Sequence, residues 1–438
     1  MGQGNGWRRL FAAPIESADP EMAGLLVAEH ERQTATVNLI ASESYCPQAT
    51  IDAEASILVN KNATGYPGAR DVAGCAVIDQ IERLAVERAR RLFGAEHANV
   101  QALASTVANV AVLRGLLKPG DPILALDVLA GGHHSHGAPY HISGQDYQVV
   151  RFGIDEDTGI IDLLAVRRLA EQVRPRMIIA GSTAYPRAID FGALHAAAES
   201  VGAMLFADIA HVAGLVVAGI HDNPTRYADV VTTSTHKTLC GPRTGGLALS
   251  KQIHAAAIDA AIFPGIQGAP GAHIIAGRAV LFDLVGREEF RGLMRAVVTN
   301  ARALAAALAA HGLRLYTGGT DTHMVVIDLR TEAWDGRAVE RALENHGILS
   351  NWVNLPSRRG ESGRAGLRLG TTAMTIRGMD EADFRTVGTA LATILSVGPD
   401  RPVDPGLRRQ IATLAQEHPI PCGMVGAGSL SGRTSHVR

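Results

Sequence analysis

The sequence is poor in aromatic residues, cysteine and long apolar runs. Phe, Trp and Tyr make up 4% of its 438 residues, so the core must be built from Ala, Val, Leu and Ile. The four cysteines lie far apart with no CxxC pair, which argues against a disulfide framework or a zinc site. Apolar runs are broken by charge or glycine well before the ~20 residues that a membrane span needs.

An excess of charge of either sign is also missing. The sequence has 41 basic and 43 acidic residues, so it offers neither a basic stripe for nucleic acid nor a polybasic membrane patch. A hydrophobic fraction of 47% predicts a folded chain. The N-terminal segment MGQGNGWRRL lacks an apolar signal core and is interpreted as a flexible arm. Together these features predict a soluble cytoplasmic protein.

Lysine is the scarcest of the charged residues. It occurs four times, and all other basic residues are arginine, so chemistry that needs a lysine amine has four candidates: Lys61, Lys118, Lys237 and Lys251. Lys237 stands out because it follows the run ADVVTTST and precedes a turn that contains Arg243. A lysine that is partly desolvated in a cleft can act as a nucleophile. A surface lysine after a strand is the alternative.

Short apolar runs alternate with amphipathic segments between residues 98 and 250. This alternation predicts βαβ units and a mostly parallel sheet, hence an α/β fold. The predicted strands lie in the runs ANVQALA, PILALDV, MIIAGST, AMLFADIA, ADVVTTST and GGLALS.

Helices are predicted over residues 20–35, 76–93, 161–173, 190–201 and 274–311. Residues 76–93 place a stripe of apolar side chains on one face, formed by Val77, Ile81, Leu84, Ala85 and Leu92. The predicted division is an N-terminal arm and helix (1–45), a large domain (46–290), a small α/β domain (291–415) and a flexible tail (416–438).

Asp208 ends the run AMLFADIA, at the sheet edge where Lys237 is expected. A buried carboxylate there needs a cationic partner. An aldehyde cofactor with a pyridine ring would supply an imine carbon for Lys237 and a ring N–H⁺ for Asp208. His211 could help to hold the ring, although a core histidine is the simpler interpretation.

Three further patterns are candidates for the same site. Ser105 and Thr106 begin a predicted helix, which suits a phosphate group but also an ordinary N-cap. Arg368 lies on a predicted strand and could clamp a carboxylate, unless it is a surface arginine. In GGHHSHG, His133 and His136 could suggest a metal, but neither a cysteine nor a carboxylate joins them in the sequence. An imidazole stacked on a cofactor ring is preferred, and no metal is predicted.

Seven motifs of the sequence belong together. They are NLIASES (38–44), GYPGAR (65–70), AGGHHSHG (130–137), ADIAH (207–211), VVTTSTHKTLCGPRTGG (230–246), FPGIQGAP (263–270) and LRLGTTAMTIRG (367–378). In this combination they resemble serine hydroxymethyltransferases, which are pyridoxal 5′-phosphate (PLP) enzymes of fold type I. The resemblance implies a PLP-binding large domain, a smaller α/β domain and a homodimer, or a tetramer built from it.

The resemblance also implies roles for individual residues. Lys237 resembles the lysine that binds PLP covalently, Asp208 the partner of the pyridine nitrogen, and His133 the imidazole stacked on the ring. The other implied contacts are with the phosphate (Ser105, Thr106, His236 and, from the neighbouring subunit, Gly268), with the cofactor without a stated group (Ser234), with the ring hydroxyl and substrate (Thr183 and His211), and with the amino-acid substrate (Ser42, Arg243 and Arg368).

The chain departs from the family pattern around the implied folate site. Asn62 replaces a catalytic tyrosine, Thr64 replaces the acid/base glutamate, and Asp71 and Val72 replace two tyrosines. His134 replaces a leucine that packs on the pterin, and residues 351–353 replace an Asn-Lys-Asn folate contact. These positions, including Asn62, Thr64, Asp71 and His134, are expected to line the substrate channel instead.

The departures predict a folate-independent enzyme acting on an amino acid or a bulky amino-acid conjugate. The leading hypothesis is β-elimination or decarboxylative deamination of a cysteine S-conjugate in antibiotic biosynthesis. The alternatives are a glycine/serine or α-methylserine hydroxymethyltransferase, C–C cleavage of the threonine aldolase or transaldolase type, and an inactive PLP-binding paralogue.

Overall fold

The strands of the protein form two main sheets and two short pairs. The computed structural model describes residues 6–155, 157–243, 245–330, 334–356, 363–399 and 405–423. In chain order the strands are Val37–Asn38 (β1), Gly65–Tyr66 (β2), Ala69–Arg70 (β3), His97–Asn99 (β4), Pro122–Leu126 (β5), Gln148–Phe152 (β6), Met177–Gly181 (β7), Met204–Asp208 (β8), Val230–Ser234 (β9), Gly246–Ser250 (β10), Met324–Asp328 (β11), Ile348–Leu349 (β12), Asn351–Leu355 (β13) and Gly363–Gly370 (β14).

The helices surround and connect these strands. They are Gly6–Ala12 (α1), Ile15–Ala18 (α2), Pro20–Thr34 (α3), Gln48–Glu54 (α4), Ala76–Phe93 (α5), Ser105–Leu116 (α6), Ile142–Asp146 (α7), Leu163–Val173 (α8), Phe191–Glu199 (α9), Ala213–Val217 (α10), Ala255–Ala260 (α11), Ala272–Leu284 (α12), Glu288–Ala310 (α13), Gly336–Asn345 (α14), Thr372–Ile376 (α15), Glu381–Val397 (α16) and Pro405–Glu417 (α17).

The central sheet has the strand order β4-β10-β9-β8-β7-β5-β6 within the described residues. β9, β8, β7, β5 and β6 run parallel, and β10 is antiparallel to both of its neighbours. All six predicted strand runs contain a strand, so the predicted α/β fold with a mostly parallel sheet is confirmed. β6 was missed because only its last residue, Phe152, is buried.

A second sheet and a second core lie in the C-terminal part of the chain. β11, β14 and β13 form an antiparallel sheet, and β1 pairs with β12. One hydrophobic core draws its residues from positions 85–298, and the other from 301–415 together with Val37 and Leu39. The predicted domain boundaries stay a prediction, and β1 packs with the smaller core.

α5 has the predicted bounds and part of the predicted buried face. Ala85 is buried and Ile81 and Leu92 pack against the core, but Val77 is 63% exposed and Leu84 is 41% exposed. The buried face also includes Asp79 and Glu82, whose carboxylates accept hydrogen bonds from Arg70, the first at 2.9 Å. The predicted stripe was partly wrong because these ion pairs compensate two buried charges that periodicity places outside.

Two other predictions need correction. The single helix predicted over 274–311 is broken into α12 and α13, because the chain turns at Val285 and Gly286 and enters α13 from an extended Arg287. The arm predicted to be flexible is helical in α1, while residues 1–5 lie outside the described part. Of the predicted tail, 416–423 is described and makes contacts, and 424–438 lies outside the description.

The sequence analysis expected no apolar run long enough to span a membrane, and α13 has to be compared with that expectation. Among the described residues it is the one helix long and apolar enough to cross a membrane by length and composition. Half of its most apolar window is buried inside the protein, with Val297, Leu304 and Leu308 in the cores. This packing accounts for its apolar character as a core helix.

One buried arginine joins the two ends of the described chain. Arg377, 4% exposed, follows α15 and donates hydrogen bonds to backbone carbonyls from both chain ends. The acceptors near the end of α3 are Gln33, Thr34 and Thr36. Those near the end of α17 are Ala415 and His418.

Candidate active site

A large cavity lies at the carboxyl ends of the parallel strands, between the central sheet and the small sheet. Its volume is about 500 Å³. Parallel sheets bind ligands at this edge because loops and helix N-termini converge there. Most of the predicted site residues line it: Ser42, Ser105, Thr106, His133, His134, Thr183, Asp208, His211, Ser234, His236, Lys237, Arg243 and Arg368.

Lys237 lies in the connection between β9 and β10, next to the end of β8. Burial lowers the pKa of its amine to about 8, with Arg368 and Arg243 contributing and Asp208 opposing the shift. The other lysines have ordinary surroundings: Lys251 pairs with Asp229 at 2.8 Å, and Lys61 donates to the carbonyl of Ala73. Lys237 is therefore the lysine suited to nucleophilic chemistry.

Asp208 ends β8 and is fixed from three sides. Its Oδ2 accepts from Asn109 at 2.7 Å and contacts Nε2 of His136 at 3.0 Å, and its Oδ1 accepts from the backbone N–H of Ala210. Burial alone would raise its pKa, but His136, His133 and Lys237 outweigh burial and hold the pKa well below its usual range. The cavity thus contains a fixed carboxylate that is ionised at neutral pH.

The contacts around Asp208 correct one argument from the sequence, that no carboxylate joins the histidines of GGHHSHG. A carboxylate does join the two histidines, because ligand atoms of His133, His136 and Asp208 lie within 4.8 Å of one another. These atoms already make hydrogen bonds, between His136 and Asp208 and between His133 Nδ1 and Ser135 Oγ at 2.6 Å. We interpret the cluster as the support of Asp208, and the absence of a metal stays a prediction.

The first turn of α6 and two unpartnered polar atoms form an anion seat. Ser105 and Thr106 begin α6, where the backbone N–H groups favour a negative charge. Within the described residues, Ser234 Oγ and His236 Nδ1 are buried without a hydrogen-bond partner. Buried polar atoms of this kind require a partner, and a phosphate group fits both.

A phosphorylated pyridine aldehyde fits the remaining surroundings. The fixed carboxylate of Asp208 suits a ring N–H⁺, and Lys237 suits the aldehyde. Burial lowers the pKa of His133 to about 3, so its imidazole is neutral and suited to stacking on a ring. PLP carries all of these complementary groups, and the residues present therefore fit this cofactor.

Arg368 on β14 is held in place by its neighbours. Its Nε and Nη2 donate to Oδ1 of Asn351 at 3.1 and 3.0 Å, and its Nη1 donates to the carbonyl of Thr183. A guanidinium has five N–H groups, so two remain for a carboxylate within the described part of the site. Burial lowers its pKa to about 10, which leaves it charged at neutral pH.

His323 was missed by the sequence analysis. It is fully buried and stacks on His211, with ring centroids 5.6 Å apart. Its Nε2 lies 3.1 Å from the carbonyl oxygen of Ala41, the neighbour of Ser42. Burial lowers the pKa of both histidines, so they remain neutral and fix the wall beside Ser42. A lone histidine before β11 carries no sequence signal for this contact.

The predicted channel residues divide into two groups. His134 lines the cavity, as do Trp352, Val353 and Asn354 of β13. Asn62, Thr64, Asp71 and Gly268 do not line the cavity of their own chain. The Asn62 side chain instead accepts hydrogen bonds from the backbone N–H and the hydroxyl of Thr64, at 3.0 and 2.7 Å.

The lowered pKa of Lys237 makes the capture of PLP by apo-protein dependent on pH. Only the neutral amine attacks an aldehyde, and its fraction reaches one half at the pKa of about 8. We expect the rate of covalent capture, followed by absorbance, to rise through pH 8 and to level off one to two pH units above that pKa. A rate that continues to climb towards pH 10.5 would contradict the lowered pKa.

The fold and this cavity define a PLP-dependent enzyme of fold type I. Residues 15–391 match the family model described as serine hydroxymethyltransferase. The chain belongs to the serine hydroxymethyltransferase family, whose members use PLP.

Named relatives are similar over almost the whole chain. The chain is 44% identical to the serine hydroxymethyltransferase of Myxococcus xanthus over 407 residues, which cover 93% of this chain and 97% of the relative. It is 45% identical to that of Mycobacterium avium, over 94% and 97%, and 43% identical to that of a Nostoc species, over 93% and 95%. These similarities favour the hydroxymethyltransferase alternative over the antibiotic-tailoring reaction.

Proposed function

We propose that the chain is a glycine/serine hydroxymethyltransferase with an altered folate loop. The observation that carries this proposal is the amino-acid half of the cavity, in which Lys237, Ser42 and the held guanidinium of Arg368 face one space. An α-amino acid with its carboxylate on Arg368 would bring its amino group to the Lys237 side. Relatives that bear the hydroxymethyltransferase name over nearly their full length support the same reaction.

Four residues of the cavity have distinct roles in the proposed reaction. PLP, when bound, supplies an electron sink for the bond that breaks at Cα. Arg368 and Ser42 bind and orient the substrate carboxylate. The ionised carboxylate of Asp208 would stabilise a positive charge on the ring nitrogen of the cofactor. The neutral imidazole of His133 would stack on the cofactor ring. The orientation of the substrate then decides which bond at Cα is broken.

A second candidate is the reaction of a larger conjugate, by β-elimination or decarboxylative deamination of a cysteine S-conjugate. The observation that favours it is the wall formed by β13, where Trp352 lines the cavity and Arg337 stacks on its ring at 5.5 Å. A rigid aromatic wall suits a bulky or planar substituent.

The two candidates predict different products. PLP-loaded protein is supplied with ¹³C-serine, with and without tetrahydrofolate, and separately with threonine and with S-substituted cysteines, and the products are followed by NMR. We expect labelled glycine from serine, and none with Lys237→Ala. Pyruvate and thiol from the conjugates, without glycine from serine, would establish the second candidate. Cleavage of threonine alone would indicate an aldolase, and turnover of none of these an inactive paralogue.

We also propose that the enzyme is a cytoplasmic homodimer with shared active sites. Gly268 and the loop from Asn62 to Asp71 do not line the cavity of their own chain, and Gly268 is exposed. α1 and α3 expose large apolar side chains that a second copy would cover, including Leu10, Phe11 and Leu25. All four cysteines are free thiols, as expected in a reducing compartment.

Shared sites predict complementation between two inactive variants. Lys237→Ala removes the reactive amine, and Gly268→Glu places a negative charge where the neighbouring subunit's phosphate is expected. Co-refolded mixtures should regain activity, because one site of each mixed dimer contains neither defect. Mixed dimers that form, as shown by native mass spectrometry, yet stay inactive would refute the sharing of sites through Gly268.

A further inference from the structure

His134 and Tyr140 form a hydrogen-bonded pair at the mouth of the cavity. The hydroxyl oxygen of Tyr140 lies 2.5 Å from Nδ1 of His134, and the ring centroids are 5.5 Å apart. The His134 ring lies 5.9 Å from that of His133, so the pair borders the expected ring site. Within the described part of the chain, Nε2 of His134 makes no hydrogen bond. Since Nδ1 is engaged by Tyr140, Nε2 is the nitrogen left for the cavity.

The other histidines of the cavity and its carboxylate are unsuited to accepting a proton from a substrate. Burial lowers the pKa of His133 to about 3, that of His236 to about 4 and that of His211 well below its ordinary value. Asp208 is ionised but uses both oxygens in hydrogen bonds. His134 differs because it is exposed at the mouth, where a proton can pass on to water.

We propose that His134 is the residue that accepts the β-hydroxyl proton of serine, and that Tyr140 positions it. This rests on the proposed hydroxymethyltransferase function. As the Cα–Cβ bond breaks, the β-O–H proton moves to Nε2, and the electron pair of that O–H bond forms the C=O bond of formaldehyde. The electron pair of the Cα–Cβ bond stays on Cα, and Cα takes up a proton to give glycine.

The protonated imidazole is stabilised by its neighbour. In the acting tautomer Nδ1–H donates to the Tyr140 oxygen, while the Tyr140 hydroxyl, on a side chain that is 67% exposed, donates to water. The imidazolium keeps the same Nδ1–H bond, so accepting the proton requires no rearrangement of the pair. Tyr140 therefore acts through His134 and is a positioning residue.

The first test compares His134→Leu, Tyr140→Phe and the remote His195→Leu in PLP-loaded protein. We expect His134→Leu to lower kcat for glycine formation from serine by about 100-fold, the usual scale for a lost proton acceptor. Tyr140→Phe should lower it by less, and His195→Leu should leave it unchanged. PLP binding, titrated by absorbance, should be the same in all four proteins.

A second test separates proton transfer from packing. His134→Gly should regain activity with added imidazole, saturably, whereas His134→Leu should not. In the protein without PLP, ¹⁵N-histidine spectra, assigned by the signal lost in His134→Leu, should show a protonated Nδ1 that changes in Tyr140→Phe.

The outcomes distinguish this inference from the function on which it rests. Serine cleavage that persists at full rate in His134→Leu, or an inactive His134→Gly that added imidazole does not rescue, would overturn the role of His134 alone. Absence of serine cleavage in the unaltered protein would overturn both.

Discussion

Replacing Lys237 with alanine is expected to abolish covalent binding of PLP and to lower turnover at least roughly 1,000-fold. Lys237 is the lysine in the cavity, and its amine is partly neutral near pH 8 because burial disfavours its charged form. The near-visible absorbance of the purified protein should disappear in Lys237→Ala. Borohydride reduction followed by peptide mapping should find the cofactor on Lys237 in the unaltered protein.

The scarcity of lysine provides matched controls for this experiment. Lys251→Ala removes an amine that pairs with Asp229 outside the cavity, and Lys61→Ala removes one bonded to a loop carbonyl. Both variants should keep the absorbance band. A reducible adduct on Lys61, Lys118 or Lys251 in the Lys237→Ala protein would show that the reactive lysine was wrongly assigned.

Replacing Arg368 with alanine is expected to lower kcat/KM for the amino acid by about 30- to 5,000-fold. This range corresponds to roughly 2–5 kcal/mol, the usual cost of removing one partner from a buried charge pair. Arg368→Lys should recover only part of the loss, because an ammonium lacks the planar fork that Asn351 and Thr183 hold in place.

The comparison for Arg368 is a more exposed arginine that contacts the same sheet from outside it. Arg314 is half-exposed and pairs with Asp328 on β11, so Arg314→Ala should change kcat/KM very little. PLP binding should be retained in both variants. An Arg368→Ala protein with unchanged KM and kcat would show that the substrate carboxylate binds elsewhere.

The sequence predicted which residues form the site better than it predicted the contacts that hold them in place. Lys237 and Asp208 were placed at strand ends because apolar runs have clear limits and parallel strands share one carboxyl edge. The contacts that fix Asp208 were not predictable, since Asn109 and His136 reach it from 99 and 72 residues away. Periodicity carries no information about such pairings.

The same limit explains the errors in the fold. The buried face of α5 depends on Arg70, and the break between α12 and α13 depends on how one turn meets the two cores. His134 was identified by its departure from the family pattern. Its partner Tyr140 was not, because an exposed tyrosine six residues away is unremarkable until the loop brings the two together.

The hydrogen bonds of Arg377 set a limit on how far the protein can be shortened. Backbone carbonyls from the end of α3 and from α17 take the place of water around its buried guanidinium. A chain that stopped before α17 would leave a buried cation with part of its solvation removed, and the loss would reach the N-terminal segment through the same side chain. Removing residues from one end of the chain for expression or crystallisation is thus expected to loosen the structure at the other end.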